Sequence, residues 1–223
     1  CKRLLADGKQ GEFLVTAAKQ TAGRGRQGKS FYSPSETGIY FSLVIRPDTS
    51  LQNAVTATTA AAVAVCKAIE KTTDLKPKIK WVNDVYLNGK KVCGILIENH
   101  RSNGIMNSVI GIGINVNQAD FNHLPKATSI RKVTDKEYDI EEILADLMHH
   151  FENEYSILEQ KKFEQIHQTY LDNLFRKDEI SHFRLDGVEV DGIIRDVNEA
   201  GNLMIEINQE LREFKHKEIE LLF

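Results

Sequence analysis

The chain has 223 residues, 41% hydrophobic and 27% charged, with 29 basic against 32 acidic side chains and a formal net charge of −3. That size fits one large domain or a medium domain with a small appendix, and so balanced a charge exerts no global pull toward nucleic acid or membrane. Three cysteines (Cys1, Cys66, Cys93) without a CxxC pair argue against a disulfide framework and fit a reducing cytoplasm; no apolar run reaches the ~18 residues of a membrane span, and no signal peptide is visible.

In chain order, "CKRLLADG" enters without Met inside a helical pattern, so further residues are expected upstream. "EFLVTAA" (12–18) reads as a strand, and a polar, glycine-rich loop follows to Thr37. "GIYFSLVIRP" (38–47) reads as a buried strand ending at Pro47. Leu51 to Lys71 is Ala-rich without Gly or Pro, a helix. "KIKWV" (78–82) is a short strand. Asn88-Gly89 lies between apolar runs and signals a hairpin, as does Asn103-Gly104. Residues 115–139 read as irregular. Apolar spacing from Ile140 to about Leu174 indicates two helices. Beyond Phe175 the pattern alternates, with turn signals at Asp186-Gly187, Asp191-Gly192 and Ala200-Gly201, which predicts four or five short strands. The expected fold is α+β: a sheet flanked by helices over residues 1–175, then a small β barrel over 176–223. Cys66 and Cys93 read as small buried hydrophobes.

"GRGRQGKS" (23–30) satisfies two phosphate-binding patterns at once, the dinucleotide fingerprint G-x-G-x-x-G and the P-loop G-x-x-x-x-G-K-S. Each needs a helix directly after the loop, whose N-terminus meets the phosphate. Here "FYSPSETGIYFSLV" follows instead and leads into a strand. Neither pattern is therefore met in context. The residues still suit an anion: glycines permit close backbone approach, and Arg24 and Arg26, with Lys29 behind them, match phosphate or carboxylate oxygens.

"KQTAGRGRQGKSFYSP", "KIKWVNDVYLNGKKVCGILIE" and "GIGINVN", in this order and spacing, resemble the biotin protein ligases over nearly the whole chain. The resemblance implies a mixed β-sheet flanked by helices, related to class II aminoacyl-tRNA synthetases, with an SH3-like C-terminal module. It implies a two-step reaction. Biotin and ATP, with Mg²⁺, give biotinyl-5′-AMP and pyrophosphate; a lysine of a biotin carboxyl carrier protein or domain then takes the biotinyl group and AMP leaves. Carried over by position, Gln20, Gly23, Arg24, Arg26, Lys91 and Gly94 match biotin-contacting positions. Lys91, Arg24 and Asp84 match the catalytic ones. Arg26, Lys29, Trp81, Asn83 and Asn115 fall near the nucleotide, and Asp84 and Asn115 offer oxygen ligands for the metal. No membrane or nucleic-acid partner is implied, and the family includes monomers and homodimers.

Elementary electrostatics agrees with that assignment. A carboxylate approaching a polyanion needs fixed cations at the meeting point, and Lys91 sits just after a hairpin turn, on a rigid element. Asp84, with an ordinary carboxylate pKa of ~3.9, is a weak base at neutral pH and suits an orienting role. Trp81 reads equally as a wall of the ligand site or as core packing. The chain departs from the family at Val82, Lys29 and Phe31, where Pro, Arg and Trp are frequent. Val82 is expected to keep an extended backbone. The usual Ser-Thr-Asn biotin contact would lie upstream of Cys1, as would any DNA-binding domain of a repressor. The competing functions are a lipoate ligase or lipoyl/octanoyl transferase of the same fold, and a P-loop nucleotide hydrolase.

Overall fold

The computed structural model describes residues 1–25, 28, 30–46, 52–102, 105–121 and 124–223. Arg26, Lys29, Pro47, Leu51 and the turn expected at Asn103-Gly104 lie outside the described residues.

A short helix α1 (Lys2–Ala6) precedes strands β1 (Phe13–Thr16) and β2 (Gly38–Ile45). Helix α2 (Gln52–Thr73) then crosses to β3 (Lys78–Lys80), β4 (Asp84–Leu87), β5 (Lys90–Ser102) and β6 (Ile105–Asn115). These strands form one sheet in the order β1-β2-β6-β5-β4-β3. Every pairing in it is antiparallel; parallel contacts are confined to isolated bridges such as Ile79 with Leu174 and Lys91 with Ala127. Asn88 and Gly89 turn β4 into β5 with φ of 48° and 73°, the left-handed pair that a two-residue hairpin requires.

Strand alternation decides what each face of the sheet does. On β6, Ile110, Ile112 and Ile114 are buried in the core, and so are Ile39, Phe41 and Leu43 of β2 and Cys93 and Ile95 of β5. They meet Ala61, Ala62, Ala64, Val65, Ala68 and Ile69 of α2. Small alanines let the helix lie close to the sheet, and each fully buried Ile or Val contributes about 1.5–3 kcal/mol. The residues between them, Gly111 and Gly113 among others, face the opposite side and leave it open as a groove.

The stretch expected to be irregular carries one short helix, α3 (Ile130–Thr134), started by Ser129, whose Oγ accepts the Lys132 N–H at 3.0 Å. Helices α4 (Ile140–Glu159) and α5 (Phe163–Asp172) follow as expected, and α4 lies along α2 through the pairs Lys67–Glu154 and Lys71–Asp146.

The C-terminal strands are β7 (Ile180–Leu185), β8 (Val188–Val197), β9 (Leu203–Ile207), β10 (Glu210–Phe214) and β11 (Glu220–Leu222), in the order β10-β9-β8-β7-β11. The edge strands β10 and β11 do not pair with each other among the described residues. The module is therefore an open antiparallel sheet rather than the closed barrel expected, because three-residue β11 crosses to the far edge against β7. Asp191-Gly192 does not turn the chain either. Both residues lie inside β8, where a Cβ on Gly192 would stand 2.8 Å from Cγ2 of Ile205. That glycine serves close packing.

Candidate active site

The groove has a volume of about 710 Å³ and lies on the open face of the six-stranded sheet. Its floor follows from register. Asp84 pairs with Gly94, Gly94 with Gly113, and Gly113 with Tyr40; the next row is Leu96, Gly111 and Ser42. Two adjacent rows thus carry glycine where a side chain would otherwise rise, which makes a flat bed. The ring of Phe31 lies on it. A Cβ on Gly113 would stand 2.5 Å from Cε1 of Phe31, and one on Gly94 3.2 Å from both Phe31 and Lys91 Nζ.

Lys91 reaches the groove through a bulge. Val85 pairs with Cys93 and Tyr86 with Lys91, so Val92 is an extra residue in β5. Counting back from Gly94 by strict alternation would send Lys91 toward the core; the bulge restores it to the groove face. Its Nζ lies 2.6 Å from Oδ1 of Asp84, a half-buried ion pair. The backbone around it is also fixed from the side: Lys91 N–H donates to the Lys126 carbonyl and its own carbonyl accepts from Thr128 N–H, each at 2.8 Å.

A folded flap covers the groove. Gln20 N–H donates to the Ser33 carbonyl at 3.3 Å, Phe31 N–H to the Gly23 carbonyl at 2.9 Å, and Arg24 bridges Ser30. The Ser33 hydroxyl also donates to Oε1 of Gln20 at 3.0 Å. No Cβ fits at Gly23, because it would stand 2.4 Å from the Phe31 carbonyl oxygen. Arg24 Nη2 lies 3.8 Å from Oε2 of Glu98, a carboxylate that also holds Lys2 at 2.7 Å.

Gln20, Gly23, Arg24, Asn83, Asp84, Lys91 and Gly94 all line this one groove. Asn83 is tied to β5, its side-chain amide donating to the Ile95 carbonyl. Trp81 lines not this groove but an adjoining cavity of about 230 Å³ that shares Asn83, Ile95 and Leu96 with it, whereas Asn115 lies off both. The Trp81 indole N–H donates to the Gly201 carbonyl at 3.0 Å, facing the C-terminal sheet. The Trp81–Val82 peptide bond is cis, and residues 81–83 form a turn rather than the extended backbone expected at Val82. Asn115 is buried; its amide donates to the Thr128 carbonyl at 3.0 Å and its oxygen accepts from Gln118 at 3.1 Å. Arg26 and Lys29 lie outside the described residues.

The donors do not fit a protein-built metal centre. Among the described residues no group of three or more His, Cys, Asp or Glu side chains stands together for a metal. Asp84 is engaged by Lys91 and Asn115 by Gln118.

Sequence reasoning missed Lys80 and Glu98. Lys80 pairs in register with Asp84, and burial pushes its ammonium below the ordinary lysine range, with Asp84 opposing and Lys91 and Lys126 reinforcing the shift. Glu98 follows Gly94 and Leu96 on the groove side of β5, which period-two counting from Gly94 would have found.

Fold and groove together define an α+β protein with an open, glycine-floored bed beneath a loop that carries Arg24. Comparison with known proteins makes this specific. Residues 2–115 match the Biotin/lipoate A/B protein ligase family, and the chain belongs to that family. It is 33% identical over 209 residues to the biotin–[acetyl-CoA-carboxylase] ligase of Paracoccus denitrificans, covering 90% of this chain and 87% of that one. It is 43% identical over 147 residues to the bifunctional ligase/repressor BirA of Bacillus spizizenii, covering 64% of this chain and 45% of BirA, so the match spans less than half of that relative's length. The biotin protein ligase of Aquifex aeolicus, solved in complex with biotin and ATP, superimposes with a TM-score of 0.82 at 26% identity, over 99% of this chain and 93% of that one.

Proposed function

We propose that this protein activates biotin with ATP as biotinyl-5′-AMP and transfers the biotinyl group to one lysine of a biotin carboxyl carrier domain, in the cytoplasm. The observation that carries the reading is the Lys91–Asp84 pair at the end of the glycine bed, beneath the Arg24 flap.

In the first step a biotin carboxylate oxygen attacks the α-phosphorus of ATP, and the bond to pyrophosphate breaks. Lys91, fixed at its backbone and paired with Asp84, offsets the charge repulsion between carboxylate and phosphate. Gly94 and Gly113 let the ligand lie flat against backbone. Arg24 closes from above on the phosphate, exchanging its long contact with Glu98 for a shorter charge-assisted one. In the second step the acceptor amine attacks the acyl carbon, the C–O bond to AMP breaks, and the amine proton leaves to solvent. Asp84 orients that amine. Mg²⁺ is expected to arrive with the ATP phosphates, and no step here runs through a protein-held ion. Residues 1–175 carry this chemistry, and 176–223 form the C-terminal module.

The test incubates the protein with ATP and either biotin or lipoate, following pyrophosphate release and labelling of a carrier domain. Biotin-dependent release with biotinylation of one carrier lysine is the expected result. Labelling by lipoate alone would assign the chain to the lipoate branch, and ATP turnover without either acid would leave a nucleotide hydrolase.

A further inference from the structure

Among the described residues two carboxylates line the groove, Asp84 and Glu98. A fixed anion where an anionic ligand enters opposes binding. Asp84 is answered by Lys91, and the reaction above uses that pair. Glu98 is the unexplained one. It lies further along β5 than Gly94, by about 13 Å at ~3.3 Å per residue, and the chemistry above gives it no role of its own. Its two oxygens are divided between two cations: Oε1 accepts from Lys2 at 2.7 Å, and Oε2 faces Arg24 Nη2 at 3.8 Å.

We propose that Glu98 is a positioning residue, the resting anion to which Arg24 returns whenever the phosphate leaves, with Lys2 setting how firmly Glu98 holds it. The inference rests on the ligase reading and adds to it the group that releases the flap. Register is the first argument. The row across the sheet at Glu98 continues through Val109, Val44 and Phe13. Leu5 of α1 packs on Val44 and Val109, which lays the helix across this end of the groove. Lys2, one helical turn before Leu5, is thereby carried to the carboxylate. The fold therefore builds a second cation against Glu98 and leaves its other oxygen for the flap.

Strength is the second argument. The Arg24 pair is long, with side chains 68% and 32% exposed, and such an exposed pair is worth little. A contact that weak does not lock the flap. It is readily traded for charge-assisted bonds to a phosphate. Lys91 Nζ stands over Gly94, so a phosphate held there is further from Glu98 than the Debye length of about 8 Å and is repelled only weakly. Because Glu98 holds Arg24 only while the phosphate is absent, it favours the free state and weakens binding by the same factor. Lys2 draws on the same carboxylate and so acts in the opposite sense.

The experiment is calorimetry with AMP and with biotinyl-5′-AMP on the wild-type chain, Glu98→Gln, Glu98→Asp and Lys2→Met, each repeated in an Arg24→Gln background. With Arg24 present, Glu98→Gln should tighten both ligands about threefold, the size of an exposed ion pair. Glu98→Asp, which keeps the charge, should fall between it and wild type. Lys2→Met should weaken both ligands about threefold. In the Arg24→Gln background these shifts should vanish. Looser or unchanged binding by Glu98→Gln overturns the proposal. Equal shifts with and without Arg24 also overturn it, because Glu98 would then act on the ligand directly. Shifts of one sign from Glu98→Gln and Lys2→Met overturn it too, since they would mark a tether between α1 and β5 and nothing more. A wild-type chain that neither binds biotinyl-5′-AMP nor releases pyrophosphate with biotin overturns the ligase reading; one that does both while the variants stay unmoved overturns this inference alone.

Discussion

Lys91 shows how narrowly a single side chain can depend on its strand. The bulge at Val92 turns it into the groove, and two backbone hydrogen bonds then hold it there. Lys91→Ala should lower biotin-dependent pyrophosphate release by about 10²–10³-fold, the size of loss seen when a charge-stabilising donor is removed, with thermal stability little changed. Arg24→Gly should let the adenylate escape, so that mass spectrometry finds biotin on many lysines; labelling confined to the carrier lysine would contradict this role for Arg24. Gly113→Ala forces the Phe31 ring off the bed, because the new Cβ would stand 2.5 Å from it. Calorimetry should show weakened biotin binding, partly restored by adding Phe31→Ala. Lys91, Gly94 and Asp84 were singled out by the resemblance to the biotin protein ligases, and all three line the one groove. Glu98 was passed over although alternation along β5 from Gly94 offered it; the flatness of the bed was not readable, because it depends on which residues of β2, β5 and β6 fall opposite one another. Asn115, expected beside the nucleotide, turned inward because residues 118 and 128 return to bond it, a contact that spacing does not encode.

Among the elements, the long strands and helices were readable because periodicity persists over many residues. The short ones were not: α3 has a single turn's worth of pattern and announces itself only through its Ser129 cap. Gly192 misled because glycine marks close packing as well as turns. The α2–α4 interface carries two tests of its own. Glu154 is buried against Lys67, so Lys67→Met should destabilise the fold by about 2–4 kcal/mol by stranding a carboxylate, while Glu154→Gln should cost less; urea unfolding measures both. His150 on α4 has a buried Nε2 with no hydrogen-bond partner among the described residues. Burial, then His149, Lys67 and Lys71, lower its pKa below the ordinary 6.5, with Asp146 opposing. The folded state thus binds this proton less readily than the unfolded state. The contribution is fully present above about pH 6.5 and is lost as pH falls from there toward the lower folded value. Stability should decline over that acidic window, and His150→Gln should flatten the decline.

At the scale of the molecule the two sheets share one core. Phe183, Ile194, Ile205 and Phe214 of the C-terminal sheet belong to the same apolar cluster as Ile79 and Leu174, and Trp81 bonds across to Gly201. The sequence change at Phe175 was easy to see, but whether two modules share a core is a matter of side-chain contact, which no local pattern records. One cooperative transition is expected on heating, with the fluorescence of the lone tryptophan and far-ultraviolet circular dichroism coinciding; two separated transitions would indicate independent modules. The thiols offer a third and chemically independent view. Cys66 and Cys93 are buried, and burial raises the pKa of each, whereas Cys1 is partly exposed at the lip of the groove, 3.6 Å from the Ser42 carbonyl. A maleimide should therefore attach a single dye to the native chain and three to the unfolded one. The native adduct would sit beside the ligand bed without any residue being replaced, so its emission would follow closure of the flap in real time.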